Sequence, residues 1–473
     1  MTLQPEILAR IQFAFTVTFH IIFPTLSIGL ALFLAIVEGL WLRTKDPLYL
    51  TIYKFWLTLF AMAFGVGVVT GIVLSFEFGL GFAKFGQLAG PVIGPMIGLE
   101  VLTSFFLEAG FLGIMLFGMG RVGPRLHFFA TCMVALGTFL SASWILSANS
   151  WMQTPSGVAW AGGKLVVTDW LKVIVNPSWP YRLAHMLTAA YLTGCFVVAG
   201  VSSWYLLKRR HLPFARRCLS MSLGFATLLI AVQVFLGDLL YGVMLQHQPA
   251  KMQAAEGFWE ARSPSPAAYN WIIIPDQAHQ RNRIQLGTPV LGSIWLTHSL
   301  NGRVAGLSNT PADRQPNMGL VFYGFRAMYV TAIAMFAMAV VSLWLRLRGR
   351  LYDTRWFLRT LVWMTPAGLI ATIGGWYTAE IGRQPYVIYG LLKTADAVSP
   401  VPAPVLLSTL LTFVAVYTLF FVGFLVLALK VIGKGPVPAQ VPHEATSPIS
   451  GSLKRSLMKP KDVAPAKPTV PVG

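Results

Sequence analysis

The sequence predicts an all-α integral membrane protein of about nine transmembrane helices with one long extracytoplasmic loop. Three observations carry this. Hydrophobic residues make up 55% of the 473 and charged residues only 11%, well below the roughly 25% charged of soluble domains. Apolar runs long enough to cross a hydrocarbon layer of about 30 Å, which needs roughly 20 helical residues, recur at 12–42, 53–80, 92–120, 126–150, 182–207, 217–246, 319–345, 357–379 and 404–432. The basic residues alternate along the chain: Arg43/Lys45, Arg121/Arg125, the Lys208 to Arg217 cluster and Arg346 to Arg355 follow the first, third, fifth and seventh runs, and Lys430/Lys434 close the ninth.

Taken in order, residues 1–246 carry helices one to six. The first run follows Arg10 but lacks a small-residue cleavage site and is too long for a signal-peptide core, so it reads as a span. Basic residues collect on cytoplasmic loops, which places the N-terminus and the 247–318 loop outside and the C-terminus in the cytoplasm. The same rule absorbs the formal charge of +19, so no nucleic-acid partner is expected. The 247–318 segment is far longer than the roughly 12 to 15 residues beyond which a loop is usually functional or disordered. Residues 319–432 carry helices seven to nine. The Pro-, Lys- and Ala-rich segment 433–473 reads as a disordered, basic cytoplasmic tail. Cys132, Cys195 and Cys218 have no paired spacing, so neither a disulfide nor an iron–sulfur centre is expected.

An ionisable side chain in hydrocarbon costs at least about 2.5 to 3.5 kcal/mol, so each needs a partner or a purpose. Those singled out at membrane depth are His20, Glu77, Glu100, Glu108, His185, Asp238, Arg326 and Glu380. His20, among aromatic neighbours, is either a structural hydrogen-bonder or a neutral imidazole able to ligate haem iron. His185 and Met328 enter their runs from the same membrane face, and a His and a Met from two helices can fill both axial positions of one haem. Met328 alone would be a packing residue, but Arg326 two positions earlier wants an anion such as a haem propionate. Glu100, Ser104 and Glu108 are spaced by four along one helical stripe, the two acids about 12 Å apart, which suits a proton relay or acids beside a metal. Ser141 on the next helix extends that stripe, or bonds its own backbone.

Six stretches in this order, RIQFAFTVTFHIIFPTLSIGL, GLEVLTSFFLEAGFLG, SASWILSANSWMQTP, the His185 helix, FRAM and GRQPYVIYG, resemble subunit I of the cytochrome bd-type quinol oxidases over about residues 5–430. The resemblance implies a quinol oxidase with three haems: a low-spin haem b on His185 and Met328 with Arg326 beside it, a high-spin haem b, and a haem d or further haem b at the oxygen site. His20 and Glu380 would be axial ligands of the two high-spin haems, with Glu100 beside or on the iron. It makes Glu108 and Ser141 proton-supply residues and Trp376 an aromatic between the haems. Arg383 and Gln384 would hold propionates or the iron ligand, and Lys251 and Glu256 would serve the quinol. It also implies a similarly folded membrane subunit II, a small single-helix subunit, quinol and O2 as substrates, and the bacterial cytoplasmic (inner) membrane.

Two departures bear on the branch. The segment after Lys251 lacks the long insertion, so the chain resembles the short-quinol-loop branch that includes the cyanide-insensitive terminal oxidases, which leaves haem d or haem b open. Tyr386 stands where the family usually has Trp. Two rival classes remain: a membrane haem-b electron carrier, which would have no use for Glu100, Glu108 and Glu380, and a proton-coupled transporter, which would show paired, glycine-interrupted helices in two halves.

Overall fold

The computed structural model describes residues 4–439. Among the described residues eight helices are long and apolar enough to cross a membrane, or nine if the one pair bent by 40° counts as a single span. In chain order the spans are α1 (Pro5–Thr44), α2 (Pro47–Gly81), α3 (Ala83–Glu100) continuing into α4 (Phe106–Phe117), and α5 (Pro124–Gln153). After the short α6 (Trp170–Ile174) come α7 (Trp179–Leu207) and α8 (Leu212–His247). Beyond α9 (Pro249–Glu256) and α10 (Leu291–Thr297) lie α11 (Met318–Leu347), the bent pair α12 (Arg355–Trp363) and α13 (Ala367–Ile381), and α14 (Ala403–Lys434). The starts follow local rules: Pro occupies the first turn of α1, α2, α5, α7, α8, α9 and α14, where its missing N–H has no helical partner to lose. Asp46 and Asn317 cap α2 and α11 through their side chains.

Three details differ from the sequence reading. The third span begins at Ala83, not near 92, because Pro91 and Pro95 are carried inside the helix. The fold is not wholly α: three two-stranded antiparallel hairpins, β1–β2 (Val158–Ala161, Lys164–Val167), β3–β4 (Tyr269–Asp276, Arg281–Thr288) and β5–β6 (Tyr386–Ile388, Leu392–Lys393), lie in the connections at the end of the bundle that carries the 247–318 segment. That segment is built, not loose, and α9 inside it is buried. Of the expected tail, residues 440–473 lie outside the described residues.

Two apolar regions fix the frame. Aromatic side chains including Tyr53, Trp56, Phe60, Phe196, Phe214 and Phe357 join α1, α2, α7, α8 and α12 towards the arginine-rich end. A second cluster seats α9 on α8 and α11 through Met244, Met252, Ile273, Val321 and Phe322. Gly257 ends α9 at φ +74°, where a Cβ would stand 2.9 Å from both Ile273 and Phe322, so the turn can be this tight only with glycine. Helices α7, α8, α11 and α13 pack in a closed ring, α7 on α8, α8 on α11, α11 on α13 and α13 on α7.

Candidate functional site

His20 faces α2. Its Nδ1 lies 2.9 Å from Thr70 Oγ1, whose own proton is directed to the Val66 carbonyl at 2.9 Å. The pairing that satisfies both groups has Nδ1–H donating to Thr70, which leaves Nε2 as the ring nitrogen with a free electron pair. A Cβ on Gly71 would stand 3.1 Å from the ring.

His185 and Met328 sit on α7 and α11, across the four-helix ring from one another. The His185 ring lies against Gly237 of α8, 3.5 Å from where a Cβ would be, and the Met328 sulfur lies 2.9 Å from the corresponding point on Gly375 of α13. His185 Nε2 meets the Gln233 amide at 3.2 Å, while Nδ1 is buried without a partner. Arg326 is also buried, and the anion it pairs with is a carboxylate of the protein itself. It donates to the Asn270 carbonyl at 2.7 Å and the Ala255 carbonyl at 3.2 Å, pairs with Glu256 at 3.4 Å, and stacks against Tyr269 and Phe322.

Glu380 ends α13 inside a polar cluster. Its Oε1 accepts from Asn149 Nδ2 at 3.0 Å and Gln153 Nε2 at 3.1 Å, and its Oε2 from Arg383. Arg182 donates to Asn149, and the Lys251 ammonium to Gln153 Oε1 at 2.5 Å. Arg383 Nε and Nη1 and Arg182 Nε are buried without partners. Burial first, and then Arg182, hold the Lys251 pKa well below the usual lysine range, against the opposing pull of Glu380. The Gln384 side-chain carbonyl accepts from Thr394 at 2.8 Å. Trp376 stands half-buried one turn before Glu380.

The Glu100 and Glu108 stripe is realised by a device the spacing did not reveal. Eight α-helical steps of about 100° carry a side chain roughly 80° past its starting line. Residues Val101–Phe105 form a π turn, whose extra residue winds most of that offset back. Both acids therefore face α5: Ser141 donates to Glu100 Oε1 at 2.7 Å, and any side chain at Gly137, one turn away, would collide with Glu108 Cγ. Ser104 is fully buried between them. Among the described residues no cation lies within ion-pair reach of either acid.

Lys251 and Glu256, which the resemblance ties to the quinol, are at most 2% exposed and turn to different clusters, Lys251 to Gln153 and Glu256 to Arg326. Burial raises the Glu256 carboxyl above its ordinary range against the opposing pull of Arg326, and its Oε1 has no partner. Of the remaining intramembrane groups, Glu77 accepts from Gln12 at 3.1 Å and Asp238 pairs with His298 at 3.3 Å near the surface. Sequence reasoning missed Arg182, Asn149 and Gln153. The available signal was the i, i+4 pair Asn149 and Gln153 closing one span with Arg182 opening the next. It also missed a closed pair at the other end, where Glu38 accepts from His127 at 2.6 Å and from Thr131 at 2.5 Å.

The sequence model of cytochrome bd terminal oxidase subunit I matches residues 8–436. The chain belongs to this family. Cytochrome bd ubiquinol oxidase subunit 1 of Bacillus subtilis (strain 168) is 34% identical over 444 residues, covering 91% of this chain and 94% of its own. Cytochrome bd-II ubiquinol oxidase subunit 1 of Escherichia coli (strain K12) is 31% identical over 500 residues, covering 92% and 97%. The solved bd oxidase from Geobacillus thermodenitrificans superposes with a TM-score of 0.84 at 30% identity, covering 91% of this chain and 99% of that one.

A cytochrome bd subunit I is a haem-containing subunit of a terminal quinol oxidase, which removes the carrier and transporter alternatives. The residues present fit such a group. His20 keeps a free ring nitrogen, His185 has a buried nitrogen without a partner, glycines flank both rings and the Met328 sulfur, and Arg182 and Arg383 keep unpaired N–H groups in the interior.

Proposed function

We propose that this cytochrome bd subunit I oxidises membrane quinol, passes the electrons to O2 to make water, and builds a proton-motive force without pumping. His185 and Met328 would hold a low-spin haem b. His20 and Glu380 would hold the two high-spin haems, one a haem b and the other a haem d or a further haem b, with Glu100 and Trp376 contributing to that site. Bound at these places, the haems supply electron transfer and oxygen binding. Arg383, together with Arg182, holds propionates, whereas Gln384 is committed to Thr394.

The protein's own residues handle the protons. Glu256 accepts one from quinol at the 247–318 segment, a role supported by its unpartnered Oε1. Glu108, Ser141 and Glu100 pass protons inward from the arginine-rich end, which the charge alternation assigns to the cytoplasm. Quinol protons leave outside and water-forming protons come from inside. The companions are membrane subunit II and a small single-helix subunit, in a bacterial cytoplasmic membrane. The short-loop branch is supported by the alignments: similar shares of this chain, 91% and 92%, align over 444 positions with the B. subtilis relative and over 500 with the E. coli one, so the latter carries the added length.

The observation that carries the reading is the closed ring with His185 and Met328 on its opposite helices, each beside a glycine. Met328→Leu in the purified complex is expected to turn the low-spin haem spectrum towards high spin and to slow quinol-driven oxygen uptake. Unchanged reduced spectra would remove Met328 from the site, and a colourless parent complex that consumes no oxygen would remove the function.

A further inference from the structure

The hairpin β3–β4 is apolar on both faces. Its inner face packs on α9 and α11 through the fully buried Ile273. Its outer face carries two cross-strand rungs, Ile272 beside Leu286 and Ile274 beside Ile284. These four side chains are 45–57% exposed. A hairpin with one face in water normally turns polar residues to it, so an aliphatic ladder there marks a surface that something covers.

The level of the ladder says what covers it. A hydrocarbon layer of about 30 Å takes roughly 20 helical residues; that count from Arg346 along α11 reaches Arg326, and from Arg217 along α8 it reaches the neighbourhood of Asp238. Asp238 is half exposed and pairs with His298 at 3.3 Å, as charged groups do outside hydrocarbon. His298 caps α10, whose Trp295 ring lies 5.1 Å from Tyr269 and 5.6 Å from Tyr329. Tryptophan and tyrosine gather at such a boundary. From Tyr269 the strand climbs α11 on a slant: the Asn270 carbonyl accepts from Arg326, Pro275 abuts Gly319, and Gln277 Oε1 accepts from the Met318 amide. Those partners on α11 rise by only about 12 Å. Both rungs, little more than halfway up, therefore stand within roughly 7 Å of the hydrocarbon edge, inside the headgroup layer. Their surface is continuous with that of α11, where Leu320 and Tyr323 are 58% and 46% exposed and Tyr323 Oη donates to the Ile273 carbonyl at 2.5 Å.

We propose that the outer face of β3–β4 rests in the headgroup layer of the leaflet away from the arginine-rich end, with phospholipid glycerol groups and upper methylenes covering the ladder. The 247–318 segment is then held on the bilayer and does not stand clear in water. The depth suits a two-stranded hairpin, whose outer edges have unpaired backbone groups that hydrocarbon rejects and wet headgroups satisfy. The contact depends on neither the haem assignment nor the quinol.

The test uses the purified oxidase with its partner subunit in phosphatidylcholine nanodiscs. Ile284→Cys is labelled with an environment-sensitive fluorophore, and the parent protein is labelled in parallel as the background from Cys132, Cys195 and Cys218. Nitroxide-headgroup lipid and aqueous iodide serve as quenchers, and Asp313→Cys, exposed in the stretch before α11, is the water-facing reference. The ratio of lipid to iodide quenching at Ile284→Cys is expected to exceed the reference by about threefold or more, as for an interfacial side chain. Leu286→Cys, on the neighbouring rung, gives the same reading should Ile284→Cys fail to assemble. Iodide quenching equal to the reference would put the ladder in water, and protection from both quenchers would mean that a protein covers it; either result overturns the contact. Haem content and oxygen uptake of the same discs test the functional reading separately.

Discussion

Two sets of carboxylates in the candidate site stand at membrane depth, and they are treated in opposite ways. Glu380 is surrounded by Arg383, Arg182 and Lys251 and accepts from two amides, so its charge is compensated several times over. Glu100 has only a hydroxyl, and Glu108 packs against the bare backbone of Gly137, with no cation within ion-pair reach among the described residues. A carboxylate held by cations is fixed as an anion and suits a permanent ligand. A carboxylate without them tolerates a proton and suits a relay. The same residue type, in helices of similar greasiness, is given its task by its neighbours.

The comparison can be broken most severely at Glu380. Glu380→Ala would strand the buried guanidiniums of Arg383 and Arg182, a loss of about 3–5 kcal/mol, and is expected to yield a complex lacking one high-spin haem with oxygen uptake abolished; full haem content on extraction would show that Glu380 is not the anchor. Glu108→Gln is expected to leave every haem band in place yet slow oxygen reduction by about 10²- to 10⁴-fold, the range for a lost proton-transfer group. Stopped-flow oxygen reaction of the reduced complex would measure it, and loss of haem instead would make the two carboxylate regions alike. Ser141→Ala removes one hydrogen bond to a carboxylate, worth about 1.5–3 kcal/mol when charged. Its expected effect is the smallest, roughly tenfold in the same rate, and an unchanged rate would leave Glu100 without need of its hydroxyl.

Much of this was readable before any coordinates. The apolar runs were legible because length and hydropathy alone make eight helices, or nine with the bent pair, long and apolar enough to cross a membrane, and His20, His185, Glu100, Glu108 and Glu380 stand out because ionisable groups are scarce in lipid-facing sequence. What stayed hidden has physical causes. Arg182 and Gln153 lie near span ends, where polar residues are ordinary, and only the meeting of α5, α7, α9 and α13 makes them a cluster. The burial of α9 could not be read from PAKMQAAE, whose mean polarity suits a surface; it follows from the β3–β4 hairpin and α11 closing over it. Arg326 was correctly picked as a cation needing an anion, but its partner, Glu256, is 70 residues away in sequence.

The wide turn at Val101–Phe105 has a consequence for how this span tolerates change. Its two acids are held in line by a count of residues and not by their identity. Substitutions that keep the count leave the line intact. Loss of a single residue there would swing one half of the span by roughly 100° relative to the other, turning Glu100 away from Ser141 however apolar the remaining sequence stayed.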